Sequence, residues 1–283
     1  MSVNMNNNID EKTVSGFGDE WERFDQSVLP TDENQRLFVK YFRVFPWESL
    51  PVGAQGFDMG CGSGRWARMV APRVRLLHCI DPSSAIDVAR RNLSTYANCL
   101  FYQAGVGDLV LPDSSMDFGY SLGVLHHIPN TQKGIDDCVR MLKPGAPLLL
   151  YLYYALDNQS GWYRMLWKTS DILRRLICRF PHKPRYVISQ IIASIVYLPI
   201  ARFAALLELC GMSARKVERL PLGSYRNLSF YTMRTDALDR FGTHLEQRFT
   251  KKEIKLMMEN AGLDSIHFSD ESPFWCAVGF KAE

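Results

Sequence analysis

The chain is 283 residues long, with 47% hydrophobic residues, 22% charged residues and a formal net charge of +3. This balance excludes wholesale disorder and the collagen-like and coiled-coil classes, and the charge does not demand a nucleic-acid partner. Seven cysteines occur and no two form a CxxC pair, so neither a zinc site nor a thioredoxin-like motif is indicated. Their scatter through apolar runs favours reduced thiols, and the polar first residues favour a cytoplasmic protein.

The N-terminal region divides into a polar tail and a helical segment. Residues 1–13 begin with an Asn-rich stretch and are predicted to be a disordered tail. A firm helix is expected after Thr31 and ends before Pro46. We interpret residues 14–50 as helical, serving either as a lid over a ligand or as ordinary packing against the core. Its first aromatic residues recur at roughly helical spacing: Phe17, Trp21 and Phe24.

From residue 53 onward, apolar segments typical of strands alternate with segments typical of helices. Five strands are predicted before residue 155 and two more after residue 264. Strands that are almost continuously apolar are buried on both faces, as in parallel sheets. We therefore predict an α/β core with a mostly parallel seven-stranded sheet, formed by residues 51–155 and 249–283. A capping box at Thr250 and Glu253 is expected to begin the helix before the last two strands.

The alternation stops over residues 156–248, which we interpret as an inserted helical cap. Residues 156–226 hold twelve basic and four acidic side chains, a local charge of about +8. Only thirteen residues of the apolar run, Tyr186–Leu198, precede Pro199, so a membrane span of about 20 residues is not expected. Two interpretations stay open. The cap helices are buried, or they present a basic, apolar surface to a membrane or to an anionic, amphiphilic acceptor.

The most informative motif is Asp58-Met59-Gly60-Cys61-Gly62-Ser63-Gly64-Arg65. It leaves a predicted strand and opens a helix, where glycines allow a tight turn and close approach of the backbone to a ligand. Asp81 ends the next strand about twenty residues later, where an acid can accept hydrogen bonds from ribose hydroxyls. The two features together indicate a cofactor that contains adenosine.

The glycine spacing separates two cofactors of that kind. The dinucleotide fingerprint is GxGxxG, whereas the spacing here is GxGxG, and no phosphate-binding GxxxxGK[ST] motif occurs. Asp58 precedes the first glycine by two residues, where a carboxylate repels a pyrophosphate and attracts an ammonium or a sulfonium group. The motif therefore favours S-adenosylmethionine over NAD.

These segments resemble Rossmann-type S-adenosylmethionine-dependent methyltransferases of the type 11 family. The resemblance covers about half of the chain and rests on GFDMGCGSGRWA, CID, LPDSSMDFGYSLGVLHHI and RMLKPGAPLLL. It implies a Rossmann-like fold and S-adenosyl-L-methionine as the cofactor. The cofactor-binding residues that it implies are Asp58, Gly60, Cys61, Gly62, Gly64, Asp81, Pro82, Gly105, Val106, Asp108, Leu122 and Gly123.

The resemblance also implies roles within this set. The three glycines would form the turn under the methionine part, with Asp58 near its amino group. Asp81 would bind the ribose hydroxyls, and Pro82 would lie beside the adenine. Leu122 and Gly123, at the end of the fourth strand, would offer backbone carbonyls to the methionine ammonium.

The chain departs from the family at the adenine. Family members often have an acid after the third strand that receives the adenine amino group, and Gly105 stands at that position here. Two alternatives stay open: the backbone of Gly105 and Val106 makes this contact, or the carboxylate of Asp108 does.

Catalytic groups are less strongly marked. His126 and His127 follow the fourth strand, and either could act as a general base with a pKa near neutrality. They could equally hydrogen-bond the loop or cap the next helix. The segment leading back from the cap either lines an acceptor pocket or pairs its own charges; its polar residues are Asp236, Asp239, His244 and Glu246.

We therefore expect a cytoplasmic methyltransferase that acts on an O, N or C atom of a small-molecule acceptor. No metal is expected, because no His/Asp/Glu cluster has ligand spacing. No nucleic-acid partner is expected, since no NPPY-like motif or RNA module occurs. Peripheral membrane contact through the basic cap is left open, as is the oligomeric state. An NAD-dependent oxidoreductase and a non-catalytic S-adenosylmethionine-binding protein are the alternatives.

Overall fold

The computed structural model describes residues 8–108 and 111–283; residues 1–7 and 109–110 lie outside the described part. The chain forms two compact units. The first consists of Met1–Gln26, Asn34–Asp157 and Leu245–Glu283, and the second of Ser27–Glu33 and Asn158–His244. The finer division into lid, core and inserted cap stays a prediction.

The first unit contains a mixed seven-stranded sheet. Its strands are β1 Gln55–Met59, β2 Leu76–Ile80, β3 Cys99–Tyr102, β4 Phe118–Leu122, β5 Pro147–Tyr151, β6 Leu263–Phe268 and β7 Cys276–Lys281. Their order is β3-β2-β1-β4-β5-β7-β6. The first five strands are parallel, and β7 runs antiparallel to both of its neighbours. The predicted fold class is therefore confirmed, including all seven strands.

The sheet has a topological switch point between β1 and β4. From β1 the chain moves outward to β2 and β3, and it then returns to the other side of β1 to form β4 and β5. In open α/β sheets, ligands bind beyond the carboxyl ends of the strands at such a point. The glycine-rich turn follows β1, so the fold places it there.

Helices accompany the strands of the sheet. Their bounds are α1 Glu11–Arg23, α2 Thr31–Tyr41, α3 Ala67–Val70, α4 Ala85–Asn92, α5 Thr131–Met141 and α11 Lys251–Asn260. The predicted capping box is present at α11, where the Thr250 side chain accepts from the Glu253 backbone and the Glu253 side chain accepts from the Thr250 backbone. At α4 the N-cap position is Ser84, whose side chain makes no capping hydrogen bond, and the Ser83 hydroxyl accepts from the Ala85 N–H at 3.2 Å.

The predicted disordered tail is too long. α1 begins at Glu11, because the side chain of Asp10 accepts a 2.8 Å hydrogen bond from the Thr13 N–H and so caps the helix. Residues 11–13 are therefore helical rather than disordered, and the prediction for residues 1–7 falls outside the described residues.

Two apolar clusters fill the two faces of the sheet. Phe57 and Met59 of β1 belong to one cluster, whereas Phe118 and Tyr120 of β4 belong to the other. Successive side chains of a strand point to opposite faces. Asp58 therefore lies on the same face as Tyr120, in the apolar surroundings of the second cluster.

The second unit is helical. Its helices are α6 Gly161–Ile177, α7 His182–Ile192, α8 Leu198–Leu209, α9 Ala214–Glu218 and α10 Phe230–Gly242. A π-helical turn, Ala193–Tyr197, joins α7 to α8 without a break. His182–Leu209 is consequently one helix of 28 residues, which is long and apolar enough by length and composition to cross a membrane.

Pro199 does not interrupt this helix, so the thirteen-residue length on which the sequence-based expectation of no membrane span depended is too short. Pro199 lies at the start of α8, directly after the π-helical turn. A proline inside a helix removes one backbone hydrogen bond, and the wider spacing of the preceding π-helical turn accommodates that loss in the interior of this segment. We name the continuous segment His182–Leu209 the long helix.

Candidate active site

The glycine-rich turn after β1 has a backbone that only glycine adopts readily. Gly60, Gly62 and Gly64 have φ angles of +80°, +51° and +78°. A Cβ atom on Gly60 would lie 2.3 Å from the side chain of Val124, which is closer than real contacts allow. Cys61 is buried within the same turn. The turn therefore exposes backbone rather than side chains at the switch point.

Asp81 ties this turn to the end of β2. Its Oδ2 atom accepts a 2.9 Å hydrogen bond from the Gly62 N–H. Its Oδ1 atom accepts from the backbone N–H and the hydroxyl of Ser83, at 2.9 and 2.6 Å. Burial raises the pKa of Asp81, and the bonds from Ser83 and Gly62 oppose that rise. Pro82 follows, half-buried, at the start of the loop.

Asp58 is a buried acid with one unsatisfied carboxylate oxygen. Its side chain is 1% exposed, and its Oδ2 atom has no hydrogen-bond partner in the part of the chain that the structure describes. Burial raises the pKa of Asp58 well above its ordinary value; the Tyr120 side chain lowers it, and the negative charge of Asp81 raises it further. A buried carboxylate in this state favours a positively charged ligand, which would supply the missing partner.

The loop after β3 carries the residues expected near an adenine. Gly105 and Val106 are buried, and Asp108 is exposed. The Oδ2 atom of Asp108 lies 3.1 Å from where a Cβ of Gly105 would be, and the Ile9 side chain lies 2.7 Å from the same point. The Asp108 carboxylate thus turns back toward Gly105. Both alternatives for the adenine contact therefore stay predictions.

The end of β4 joins the cofactor side of the site to an aromatic side. Leu122 is buried, and Gly123 has a φ of +80°. The Gly123 N–H donates to the Tyr151 carbonyl at 2.9 Å, and the Tyr151 ring lies beside Gly123. The backbone predicted to face the methionine part is therefore next to a tyrosine of β5.

The first helix lies across the turn and the histidines. The Trp21 indole nitrogen is 3.0 Å from where a Cβ of Gly62 would be. The rings of Phe17 and His127 have centroids 5.0 Å apart. α1 is also held by a 3.0 Å hydrogen bond from the Leu245 N–H to the Thr13 hydroxyl. A bulky group at Gly62 would meet the indole, so α1 covers this part of the site.

His127 has a defined tautomer. Its Nδ1 atom lies 2.7 Å from the Leu245 carbonyl oxygen. A carbonyl can only accept, so Nδ1 carries the proton and the lone pair of the neutral ring is on Nε2. A histidine held in this way is oriented to accept a proton at Nε2.

His126 is placed differently. It is fully buried, and its ring stacks on Tyr153 with centroids 3.9 Å apart. Burial lowers its pKa well below the ordinary value, with further contributions from His127 and from the positive charge of Arg248. His126 is therefore neutral, packed within the aromatic side of the site.

The sequence did not point to Tyr153 and Arg248. The guanidinium of Arg248 lies 5.0 Å above the Tyr153 ring and donates a 2.8 Å hydrogen bond to Glu246. Tyr151 and Tyr153 belong to the segment LYLYY, whose apolar pattern indicates only a strand. Tyr153 lies two residues after the end of β5, and its place near the site can be predicted only when the end of that strand is known.

Two further polar residues of the segment leading back from the cap, Asp236 and Asp239, form hydrogen bonds within the second unit. Asp236 accepts from the Tyr225 hydroxyl at 2.8 Å, and Asp239 accepts from the Thr243 hydroxyl at 3.1 Å. Both contacts lie inside the second unit. The pairing of charges is thus observed for Glu246, and Asp236 and Asp239 each accept a hydrogen bond from a hydroxyl group.

Comparison with known proteins identifies the domain. Residues 57–150 match the family model described as a methyltransferase domain. The chain is a methyltransferase. The match covers about a third of the chain and agrees with the sequence-based resemblance to S-adenosylmethionine-dependent methyltransferases.

Individual relatives are distant. An uncharacterized methyltransferase of Mycobacterium bovis is 26% identical over 137 residues, which cover 47% of this chain and 68% of that protein. The demethylmenaquinone methyltransferase of Tropheryma whipplei is 27% identical over 178 residues, covering 62% of this chain and 73% of that protein. A methyltransferase structure from Bacillus halodurans aligns with a TM-score of 0.50 at 15% identity, covering 82% and 71% of the two chains. This last similarity supports the fold alone.

Proposed function

We propose that this methyltransferase uses S-adenosylmethionine and methylates a small-molecule acceptor. The observation that carries the proposal is the buried Asp58 carboxylate, whose Oδ2 atom lacks a partner among residues 8–108 and 111–283. S-adenosylmethionine has an ammonium and a sulfonium group, either of which would satisfy a buried anion at this position. The pyrophosphate of NAD is negatively charged, so the Asp58 carboxylate would repel it.

The remaining cofactor contacts follow from the geometry of the turn. A carboxylate offers about four lone-pair positions. Three lone-pair positions of Asp81 already accept hydrogen bonds, one from the Gly62 N–H and two from the backbone N–H and hydroxyl of Ser83. One ribose hydroxyl can bind directly, and the second can replace the rotatable Ser83 hydroxyl. Asp81 would then hold the ribose and keep the glycine turn in place.

The chain contributes alignment and protection from water. When bound, S-adenosylmethionine supplies a methyl group on a positively charged sulfur, which an acceptor atom displaces. Trp21 and Phe17 of α1 cover the turn and the histidines, so they would exclude water from that space. Alignment of two reactants in a closed site can supply several kcal/mol of the barrier reduction.

His127 is the group best placed to take a proton from the acceptor. Its Nδ1 atom is tied to the Leu245 carbonyl, so Nε2 is the basic atom. His126 is buried and its pKa is lowered, which suits a role in packing and in orienting its neighbour. We therefore assign the base to His127 and the positioning role to His126.

The surroundings favour an acceptor that has an aromatic ring. Tyr151 lies beside Gly123, and Tyr153 contacts both histidines, so the reacting groups would lie near two aromatic rings. Arg248 adds a positive charge next to Tyr153. An aromatic acceptor with an anionic or phenolic oxygen would complement both features. The relative from Tropheryma whipplei is named for demethylmenaquinone, which supports this class.

The proposal is tested with methyl-labelled S-adenosylmethionine and fractionated small-molecule extracts. The expected result is a labelled product in an organic-soluble fraction, formed together with S-adenosylhomocysteine. Absence of S-adenosylmethionine binding contradicts the cofactor assignment. Tight binding without product in any fraction contradicts the catalytic assignment and favours a non-catalytic binding protein.

A further inference from the structure

Helix α6 presents apolar residues on the side opposite its buried face. The buried face contains Asp171, Arg174 and Ile177. Leu173 is two positions from Asp171, a rotation of about 200° around the helix. Met165, one of these outward residues, is 68% exposed. The exposed apolar residues of α6 recur at helical spacing on this outward side: Trp162, Met165, Leu166, Ile172, Leu173 and Leu176.

The long helix repeats the same arrangement. Of the long helix, α7 and the π-helical turn pack with α10, whereas α8 packs with α9. The buried residues recur every three or four positions: Arg185, Ser189, Ala193, Tyr197, Ala201 and Ala204. The exposed apolar residues occupy the intervening positions on the opposite side: Val187, Ile191, Ile195, Ile200, Phe203 and Leu206. Ile195 is 67% exposed. A helix of a soluble domain normally turns polar residues to this side.

A row of basic side chains accompanies the apolar side of α6. Arg164, Lys168 and Arg175 of α6 are exposed, and Arg179 is exposed in the turn directly after the helix. The three helical residues lie about 100° from the apolar row, on the flank between it and the buried face. The only acid of α6, Asp171, is buried and bonded to Arg174 and Arg175. The outward surface of α6 is therefore apolar and cationic.

The sign of the charge identifies the occupant. A second copy of this chain would bring the same cationic row and be repelled at that edge. An anionic bilayer complements both features, because its headgroups pair with the basic row while its acyl boundary takes up the apolar row. Two such helices pack on α10, so one face of each is already buried in protein. Helices that are buried in protein on one face can lie flat in the headgroup region of a bilayer, which this arrangement favours over crossing the bilayer.

We propose that the outward faces of α6 and the long helix dock this methyltransferase onto an anionic lipid bilayer as a peripheral protein. Arg174 takes no part, although it is one of the twelve basic residues counted in the cap. It is buried, and its Nη1 atom donates to the Thr243 carbonyl at 2.9 Å. The docking charge belongs to the exposed row and not to the buried arginines.

The test is sedimentation of the full chain with vesicles of phosphatidylcholine alone or mixed equally with phosphatidylglycerol. Binding is expected only to the mixed vesicles at low salt, and to fade at about 0.5 M salt, where screening shortens the Debye length to roughly 4 Å. The triple variant Arg164→Gln, Lys168→Gln, Arg179→Gln is expected to bind about a hundredfold more weakly, since each basic residue contributes roughly fivefold. A matched triple variant on the first unit, Arg91→Gln, Lys252→Gln, Lys255→Gln, is expected to bind like the wild type.

The apolar row is tested separately. Ile172→Ser with Leu176→Ser removes two outward residues, while Val39→Ser with Leu256→Ser removes two comparably exposed residues of the first unit. Only the first pair is expected to reduce vesicle binding, with unchanged thermal unfolding in both. Failure of the wild type to bind mixed vesicles at low salt overturns the proposal. Equal vesicle binding by the two double variants also overturns it. A third contrary result is a wild-type dimer in solution that the Ile172→Ser, Leu176→Ser variant no longer forms.

Discussion

The backbone N–H of Gly62 donates a 2.9 Å hydrogen bond to the Oδ2 atom of Asp81, which joins the turn after β1 to the end of β2. The acid proposed to hold the ribose therefore also positions the backbone proposed to lie under the methionine part. A single substitution at Asp81 removes both contributions.

Asp81→Ala is expected to weaken S-adenosylmethionine binding at least tenfold. Hydrogen bonds to a charged acceptor contribute about 1.5–3 kcal/mol, and tenfold corresponds to about 1.4 kcal/mol. Calorimetric titration of the folded variant measures the change. Asp87→Ala, which removes an exposed carboxylate of α4, is the control and is expected to bind normally. Unchanged affinity in a folded Asp81→Ala protein would remove Asp81 from the site.

Asp58 predicts a pH dependence of cofactor binding. Its pKa is raised in the folded protein, so the folded state holds a proton that the unfolded chain releases. The free energy of unfolding then falls as pH rises from the ordinary aspartate pKa to the raised one. A cationic ligand favours the charged carboxylate, so affinity should increase with pH over the same window. Asp58→Asn should bind more weakly and lose this dependence, as titrations in buffers of different pH will show.

Substitutions of the two histidines should impair different properties, turnover for His127 and stability in acid for His126. His127→Gln should lower turnover while cofactor affinity stays within about threefold, a change under about 1 kcal/mol. His126 has a lowered pKa, so the unfolded chain binds more protons below about pH 6.5 and stability falls as pH drops through that range. His126→Gln should reduce that acid sensitivity. Collapse of cofactor binding in His127→Gln would mean that His127 belongs to the cofactor site.

Neighbouring arginines of α6 should differ in their effect on stability. Arg174 is buried with Asp171, whereas the Arg175 side chain is 69% exposed. Arg174→Gln breaks a buried pair and leaves the Thr243 carbonyl without its donor, which should cost about 3 kcal/mol. Arg175→Gln should cost at most about 1 kcal/mol. Denaturant unfolding compares them, and equal losses would refute the structural role given to Arg174.

The sheet was predictable because its central strands are almost continuously apolar and end in recognisable turns. The glycine spacing after β1, Asp58 before it and Asp81 after β2 depend on local backbone chemistry, which the order of residues already shows. The capping box at Thr250 is equally local. Such features need no knowledge of distant parts of the chain.

Other features depend on contacts between distant residues and could not be read in advance. The tautomer of His127 depends on Leu245, which is 118 positions away. The placement of Arg248 over Tyr153 likewise joins two segments that the second unit separates along the chain. The continuity of the long helix across Pro199 depends on a π-helical turn, for which the apolar pattern has no sign.

On our proposal, the buried Asp58 carboxylate at the end of β1 selects a cationic, adenosine-containing cofactor. Side-by-side calorimetric titration of the wild-type chain with S-adenosylmethionine and with NAD tests it most directly. We predict one S-adenosylmethionine bound per chain in the micromolar range or tighter, and no detectable heat with NAD. Binding of NAD, or no binding of S-adenosylmethionine to the folded chain, would contradict the account.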